Sequence, residues 1–263
     1  MIRTVLALCL LVPAAAHAVE PLDGERIAAG QYLHCLKQIE VNPDDAYDMA
    51  IAWRDIGGGM PAQHCAAMAL VALKLYPEAA VRFEMLAREP GSADASLRAE
   101  ILAQAGNAWT LAKRPHKAVD AFNEALNVLE QDTDETRETE AAIRLDRARL
   151  LVLGEEVEAA RPDVEAVLSF DGIPDKTRAE ALALRSDLWR EAGQIDKAIA
   201  DATQAITLSP EAGPAYLARG RALALQGDRD GARHDFLVIL QGSSRPDLAE
   251  AARTALQQLD IHN

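Results

Sequence analysis

Two stretches near the C-terminal end share one pattern, and this repetition decides the fold. They read AEALALRSDLWREAGQIDKAIADATQAITLSP (Ala179–Pro210) and GPAYLARGRALALQGDRDGARHDFLVIL (Gly213–Leu240). Each contains an apolar run at helical spacing, a glycine at a turn, and a second such run. At an offset of 34 residues, Gly193 aligns with Gly227. A period of this length indicates stacked helix pairs.

Three upstream segments fit the same template, and they begin at Met60, Ala99 and Glu140. The aromatic content is only 4%, and Gly and Pro occur mostly singly, as punctuation. Because alanine has the highest helix propensity, this alanine-rich composition favours an all-α protein. In all five units an alanine stands in the second run: Ala79, Ala118, Ala159, Ala198 and Ala232.

The pattern resembles the tetratricopeptide repeat (TPR) family, whose unit is two antiparallel helices. In that family positions 8 and 20 are small and position 24 is aromatic. The resemblance implies an all-α fold, a right-handed α-solenoid of tandem antiparallel helix pairs. Position 8 is Ala67, Gly106, Arg147, Ser186 and Gly220, and position 24 is Phe83, Phe122, Asp163, Ala202 and Phe236.

The repeats divide the chain into four parts. We expect residues 1–18 to form a signal peptide and residues 19–59 to form a divergent N-terminal helix pair. We expect residues 60–240 to form about five TPR-like helix pairs and residues 246–260 to form a C-terminal capping helix. Such a cap covers the apolar face that the last repeat leaves open. We expect Gly57–Gly59 to form a turn before a first helix that begins near Pro61, and Pro162 to kink or delay its helix.

The N-terminus, MIRTVLALCLLVPAAAHAVE, has the layout of a secretory signal peptide. Arg3 supplies the positive charge, residues 4–12 are apolar, and Ala16-His17-Ala18 is a small-x-small cleavage site. The apolar run is too short for a membrane span, which needs about 20 residues. We expect cleavage after Ala18 and a periplasmic mature protein without membrane insertion.

Charge and motifs exclude several classes of function. The net charge of −14 repels nucleic acid phosphate and anionic lipid. The sequence has no His-Glu-x-x-His, no Gly-x-Ser-x-Gly and no phosphate-binding glycine loop. We predict a non-enzymatic protein without a cofactor.

The resemblance also implies where a partner binds. In this family the first helices line a concave groove for a peptide or protein segment, and positions 2, 5, 9, 12 and 13 face it. A carboxylate clamp found in some members needs a lysine where this chain has Ala103, so that ligand is not predicted. The arginines either bind acidic groups of a partner or pair with acids of the groove itself. The candidates are His64, Met68, Val71, Asn107, Thr110, Leu111, Arg144, Leu151, Asp187, Arg190, Leu217 and Arg221.

Two His-Cys pairs, His34-Cys35 and His64-Cys65, admit a disulfide, free thiols or a metal site. Export removes Cys9 and leaves an even number of cysteines in an oxidising compartment. The resemblance places Cys35 and Cys65 on the first helices of consecutive units, which lie side by side. We therefore predict a disulfide rather than a metal site, because adjacent helical residues point about 100° apart.

The expected function is a periplasmic scaffold that binds a protein or peptide partner, in the assembly of an envelope complex. Two alternatives remain open. One is a helical-solenoid enzyme or accessory factor that acts on cell-wall glycans. The other is a metal-handling protein that uses the two His-Cys pairs.

Overall fold

The computed structural model describes residues 22–89, 94–129, 134–154, 156–242 and 245–261. Within these ranges the chain forms thirteen α-helices and no strand, which confirms the predicted all-α class. The predicted signal peptide and its predicted cleavage site lie outside the described residues. The helices are α1 (Leu22–Val41), α2 (Pro43–Asp55), α3 (Gly59–Ala72), α4 (Tyr76–Ala87), α5 (Ala95–Leu111), α6 (Pro115–Val128), α7 (Asp134–Leu153), α8 (Val157–Ser169), α9 (Asp175–Glu191), α10 (Ile195–Leu208), α11 (Gly213–Gln226), α12 (Arg229–Gly242) and α13 (Pro246–Ile261).

Consecutive helices pack as pairs, and the pairs stack side by side. The odd-numbered helices also contact one another across pairs, as α1 with α3, α5 with α7, α7 with α9, α9 with α11 and α11 with α13. No contact of comparable extent joins two even-numbered helices in the described part of the chain. The odd-numbered helices therefore form the inner, concave face, and the even-numbered helices form the outer face.

Short-range signals set the helix ends. The side chain of Asn42 accepts hydrogen bonds from two backbone N–H groups in the first turn of α2. Gly57 and Gly59 have φ angles of 96° and 55°, which side chains disfavour. They form the predicted turn between α2 and α3, with Pro61 in the first turn of α3. Helix α8 begins at Val157 and continues through Pro162.

Phenylalanine rings of outer helices pack on small residues of inner helices. A Cβ atom added to Gly106 would lie 2.7 Å from the ring of Phe122, and one added to Gly220 would lie 2.6 Å from that of Phe236. The two rings are fully buried. Positions 8 and 24 of the repeat therefore contact each other across each of these two helix pairs.

The middle unit lies one residue later than the sequence pattern predicted. Ala148 and Ala160 are fully buried and twelve residues apart, like the corresponding small residues of the other units. Ala159 is exposed, so it does not occupy position 20. Val164, which is fully buried, occupies position 24 instead of Asp163. The predicted register of this unit was wrong because it placed Arg147 at position 8, where packing against the second helix requires a small residue.

Three C-terminal units share a buried ion pair between their two helices. In each pair the Nε and Nη2 atoms of an arginine donate to the two oxygens of an aspartate sixteen residues later, at 2.6 to 3.0 Å. The aspartates are 1 to 9% exposed. This bidentate geometry fixes the angle of two helices as well as their distance. The pairs are Arg147–Asp163, Arg185–Asp201 and Arg219–Asp235.

Helix α13 closes the C-terminal end of the array. Leu248, Ala252 and Leu259 are buried against a cluster that includes Phe236 and Ile239 of the last repeat. Among the described residues, no helix has both the length and the apolar content that a membrane span requires.

Candidate partner-binding grooves

The concave face carries two grooves that share helix α7 as a wall. The acidic groove, of about 480 Å³, lies between α5 and α7. The C-terminal groove, of about 1010 Å³, extends from α7 across α9 and α11 to α13. Residues that line the acidic groove are Glu100, Ala103, Gln104, Asn107, Glu138, Thr139, Ala142, Ile143 and Asp146.

The acidic groove carries three carboxylates. Asp146 accepts a hydrogen bond from Asn107 at 2.9 Å and pairs with Arg149 at 2.6 Å. Glu100 accepts a hydrogen bond from the hydroxyl of Thr139 at 3.3 Å, and both glutamates of this groove are exposed. The groove therefore presents more negative charge than the chain itself neutralises there.

The C-terminal groove is mainly apolar. Its apolar lining comes from several helices and includes Val152, Leu153, Leu184, Leu217 and Leu248. The family's groove positions 2, 5 and 9 of α9 and α11 all contribute to it. A concave, mainly apolar lining with a few placed polar groups is the usual composition of a ligand-binding site.

Most charged residues of this groove form internal pairs, and of its described charged residues only Lys176 and Glu211 have no ion-pair partner. Arg149 contacts Glu180 at 2.6 Å, and Arg221 approaches Asp187 at 4.0 Å. Arg190 donates to Asp187 at 3.3 Å. Burial raises the pKa of the Asp187 carboxyl, and the nearby arginines oppose that shift. The groove charges thus largely compensate one another.

Of the predicted groove residues, the structure brings Asp187, Arg190 and Arg221 together, and Asp187 and Arg221 line the C-terminal groove. Asn107 lines the acidic groove. The hydroxyl of Thr110 donates to the carbonyl of Gly106 in its own helix at 2.9 Å. These pairings match the alternative in which the arginines bind acids of the groove itself.

Arg144 lies elsewhere. Its guanidinium contacts Asp163 of α8 at 3.1 Å and Glu140 at 2.6 Å, and it lines neither groove. Leu151 is buried in a core cluster between α7 and α8. Both misplacements follow from the one-residue register error in the middle unit. The corrected register brings Val152 to position 12, where Leu151 was predicted, and the buried Leu145 to position 5, where Arg144 was predicted. Arg149 then occupies groove position 9.

His64 joins three inner helices. Its Nδ1 atom lies 2.8 Å from the hydroxyl of Tyr32 on α1, and its Nε2 atom lies 2.7 Å from Oε1 of Gln104 on α5. Burial lowers the pKa of His64, while the hydrogen bond to Gln104 opposes that shift. The ring also contacts Phe83, and Met68 is partly buried against the same core. Through its hydrogen bond to Gln104, His64 therefore helps to position a side chain that lines the acidic groove.

Several groove residues were missed by the sequence pattern. Arg149, Val152 and Leu153 follow from the correct register, which the spacing of Ala148 and Ala160 signals. Glu100 stands at position 2 of its unit, which was a groove position by the family's own rule. Glu138 of α7 had no such signal, because it lies before the repeat begins.

Cys35 and Cys65 are joined by a disulfide bond between α1 and α3, with their Cα atoms 6.4 Å apart. Both residues are buried. Since each sulfur is bonded to the other, neither is available as a thiolate ligand for a metal ion. Within the described ranges, no cluster of three His, Cys, Asp or Glu side chains has a metal-binding arrangement.

Comparison with known proteins supports the fold. No protein-family model matches the sequence, and no curated protein matches it significantly. Among solved structures, apo RapI superimposes with a TM-score of 0.70 at 14% identity, over 94% of this chain and 76% of RapI. The apo quorum sensor NprR from B. thuringiensis gives 0.67 at 11% identity, over 89% and 72% of the two chains.

MamA from Desulfovibrio magneticus RS-1 gives a TM-score of 0.51 at 19% identity, over 73% of this chain and 93% of MamA. At these identities the similarity concerns architecture only. Together with the recurrent packing of positions 8 and 24, it shows that this chain folds as an α-solenoid of the tetratricopeptide repeat type.

Proposed function

We propose that this protein is a non-enzymatic scaffold that holds a segment of a partner protein along its concave face. The C-terminal groove carries this proposal. It is long, mainly apolar and lined by the positions that face ligands in tetratricopeptide repeat proteins. Because most of its charged residues are paired within the chain, its main recognition chemistry is the burial of apolar side chains.

We further propose that the scaffold works in the periplasm, in the assembly of an envelope complex. The signal-peptide layout of residues 1–18 supports export. A buried disulfide between the two cysteines that remain after cleavage agrees with an oxidising compartment. N-terminal sequencing of the purified protein tests this directly: Val19 as the first residue supports export, and an intact Met1 contradicts it.

Site-specific photo-crosslinking tests the binding role. Benzoylphenylalanine replaces Leu153, which is 77% exposed in the C-terminal groove, in the protein expressed in its native envelope. The matched control carries the same group at Met85, which is 63% exposed on the outer helix α4. We expect a discrete adduct from position 153 and none from position 85.

Two results contradict the proposal. One is the same adduct pattern from both positions, which indicates random collision. The other is no adduct from position 153 while circular dichroism shows the variant to be folded.

A further inference from the structure

The two grooves form one continuous surface with two different chemistries. Asp146 faces the acidic groove, and Arg149 and Val152, less than two turns further along α7, line the C-terminal groove. A segment that lies across the inner helices therefore passes from one groove to the other. It meets carboxylates at the α5–α7 end and aliphatic side chains at the α9–α13 end.

The charge at the acidic end is not balanced by the chain. In the described part of the structure, no Lys or Arg lies within 4 Å of Glu100 or Glu138. By contrast, Arg149, Glu180, Asp187 and Arg221 have partners within 4.0 Å. In the acidic groove the unmet electrostatic need is thus for positive charge. Among the described residues of the C-terminal groove, the charged residues without an ion-pair partner, Lys176 and Glu211, have opposite charges.

We infer that the segment held by the scaffold is extended and carries a Lys or Arg side chain next to a run of aliphatic residues. This inference rests on the proposed function. The basic side chain binds among Glu100, Glu138 and Asp146, and the aliphatic side chains bind along Val152, Leu217 and Leu248.

The geometry sets the spacing of the two parts. Neighbouring packed helices lie about 8–10 Å apart. An extended chain advances about 3.3 Å per residue. A segment that crosses from the acidic groove past α7 therefore places its first aliphatic side chain about three residues from its basic one.

The whole molecule favours the same partner. Its net charge of −14 attracts a basic segment over a distance set by the salt concentration. General attraction of this kind does not depend on which carboxylates are present, whereas binding in the acidic groove does. The experiment must separate these two contributions.

Fluorescence anisotropy with three labelled ten-residue probe peptides makes this separation. The first has one Lys followed after a Ser-Gly spacer by Val-Leu-Val. The second has Glu in place of Lys, and the third has Ser in place of each aliphatic residue. At low salt we expect the first to bind the wild-type protein at least tenfold more tightly than either of the others.

Two variants locate the charge effect. Glu100→Gln with Glu138→Gln removes two charges from the acidic groove. Glu78→Gln with Asp120→Asn removes two charges from the exposed surface of the outer helices α4 and α6. We expect the first variant to reduce the preference for Lys over Glu to threefold or less, and the second to leave it near tenfold.

The inference is overturned if the two variants have equal effects, if the Lys and Glu peptides bind wild type equally, or if no peptide binds at millimolar concentration. None of these results affects the photo-crosslinking from Leu153, which reports the proposed function independently of the partner's charge. Failure of that crosslinking removes both proposals.

Discussion

The N-terminal and C-terminal halves of the array hold their helices together by different means. In the three C-terminal units a buried arginine–aspartate pair joins the two helices of each unit. At the equivalent positions, sixteen residues apart, the unit of α5 and α6 has the buried alanines Ala105 and Ala121. The N-terminal end is instead joined between units, by the Cys35–Cys65 disulfide.

The difference shows how divergent sequences reach one architecture. An apolar contact tolerates small shifts, whereas a bidentate ion pair fixes one geometry and is costly when half of it is lost. A disulfide acts mainly on the unfolded chain. The two halves should therefore respond differently to substitution, and the following predictions test that contrast.

The largest effect is expected at a buried aspartate. Asp235→Ala leaves the guanidinium of Arg219 partly buried without its partner, which costs about 3–5 kcal/mol of the free energy of unfolding. Replacing both residues with leucine removes the uncompensated charge and should restore most of that loss. Urea unfolding followed by circular dichroism measures both variants.

The exposed Asp120 on α6 is the control for that experiment, and Asp120→Asn should stay within about 0.5 kcal/mol of wild type. A loss below about 1 kcal/mol in Asp235→Ala would show that the ion pair is not a main connection between α11 and α12.

Removal of the disulfide should lower the free energy of unfolding nearly as much as Asp235→Ala does, but it should loosen only the N-terminal helices. Cys35→Ala with Cys65→Ala opens a loop with a sequence separation of 30 residues, and we expect a loss of about 3–4 kcal/mol in the chain-entropy model. Amide hydrogen exchange should lose protection in α1 and α2 and keep it in α9 to α12. Unchanged protection in α1 would contradict the role of the bond as the N-terminal connection.

A smaller effect is expected for a contact that both halves share, the packing of a helix glycine against a buried phenylalanine ring. Gly106→Ala and Gly220→Ala each place a methyl group against a buried phenylalanine ring, so overpacking exceeds the gain in helix propensity. We expect each to lose about 1 kcal/mol in thermal or urea unfolding. Gly30→Ala is the matched control, since a Cβ atom there has no neighbour within 4 Å, and it should gain stability. A gain in all three would refute the tight packing.

The smallest effect concerns pH. Burial lowers the pKa of His64, so the folded state takes up a proton at lower pH than the unfolded state. Stability is therefore full above the unfolded pKa near 6.5 and falls as the pH drops below it, by at most about 1.4 kcal/mol per pH unit. His64→Gln should remove this slope between pH 7.5 and 5.

The exposed His34 provides the control for the pH experiment, because His34→Gln removes a histidine without touching the contacts to Tyr32 and Gln104. If His34→Gln flattened the slope as much as His64→Gln, the buried histidine would not be its source.

The fold was predictable because its signal is repeated. The glycine turn, the alanine at position 20 and the phenylalanine at position 24 recur several times, so an error in one unit does not change the class. The pairing of Cys35 with Cys65 followed from the same periodicity, which placed both on neighbouring inner helices.

The groove was harder to predict, because each of its residues depends on the register of a single unit. A shift of one residue turns a helical side chain by about 100°, which exchanged Val152 for Leu151. Contacts between units, such as that of His64 with Gln104, have no local sequence signal at all. The charge imbalance of the acidic groove also required the structure, since it depends on which carboxylates find a cation.

Helix α13 has a consequence for assembly. A stack of like units is open-ended, because the surface that receives the next unit remains apolar at its last member. Here Leu248 and Leu259 cover that surface, and the outer side of the same helix carries exposed charges such as Glu250 and Arg253. We therefore expect a second molecule to find no matching apolar face at this end on which to continue the stack into a head-to-tail filament.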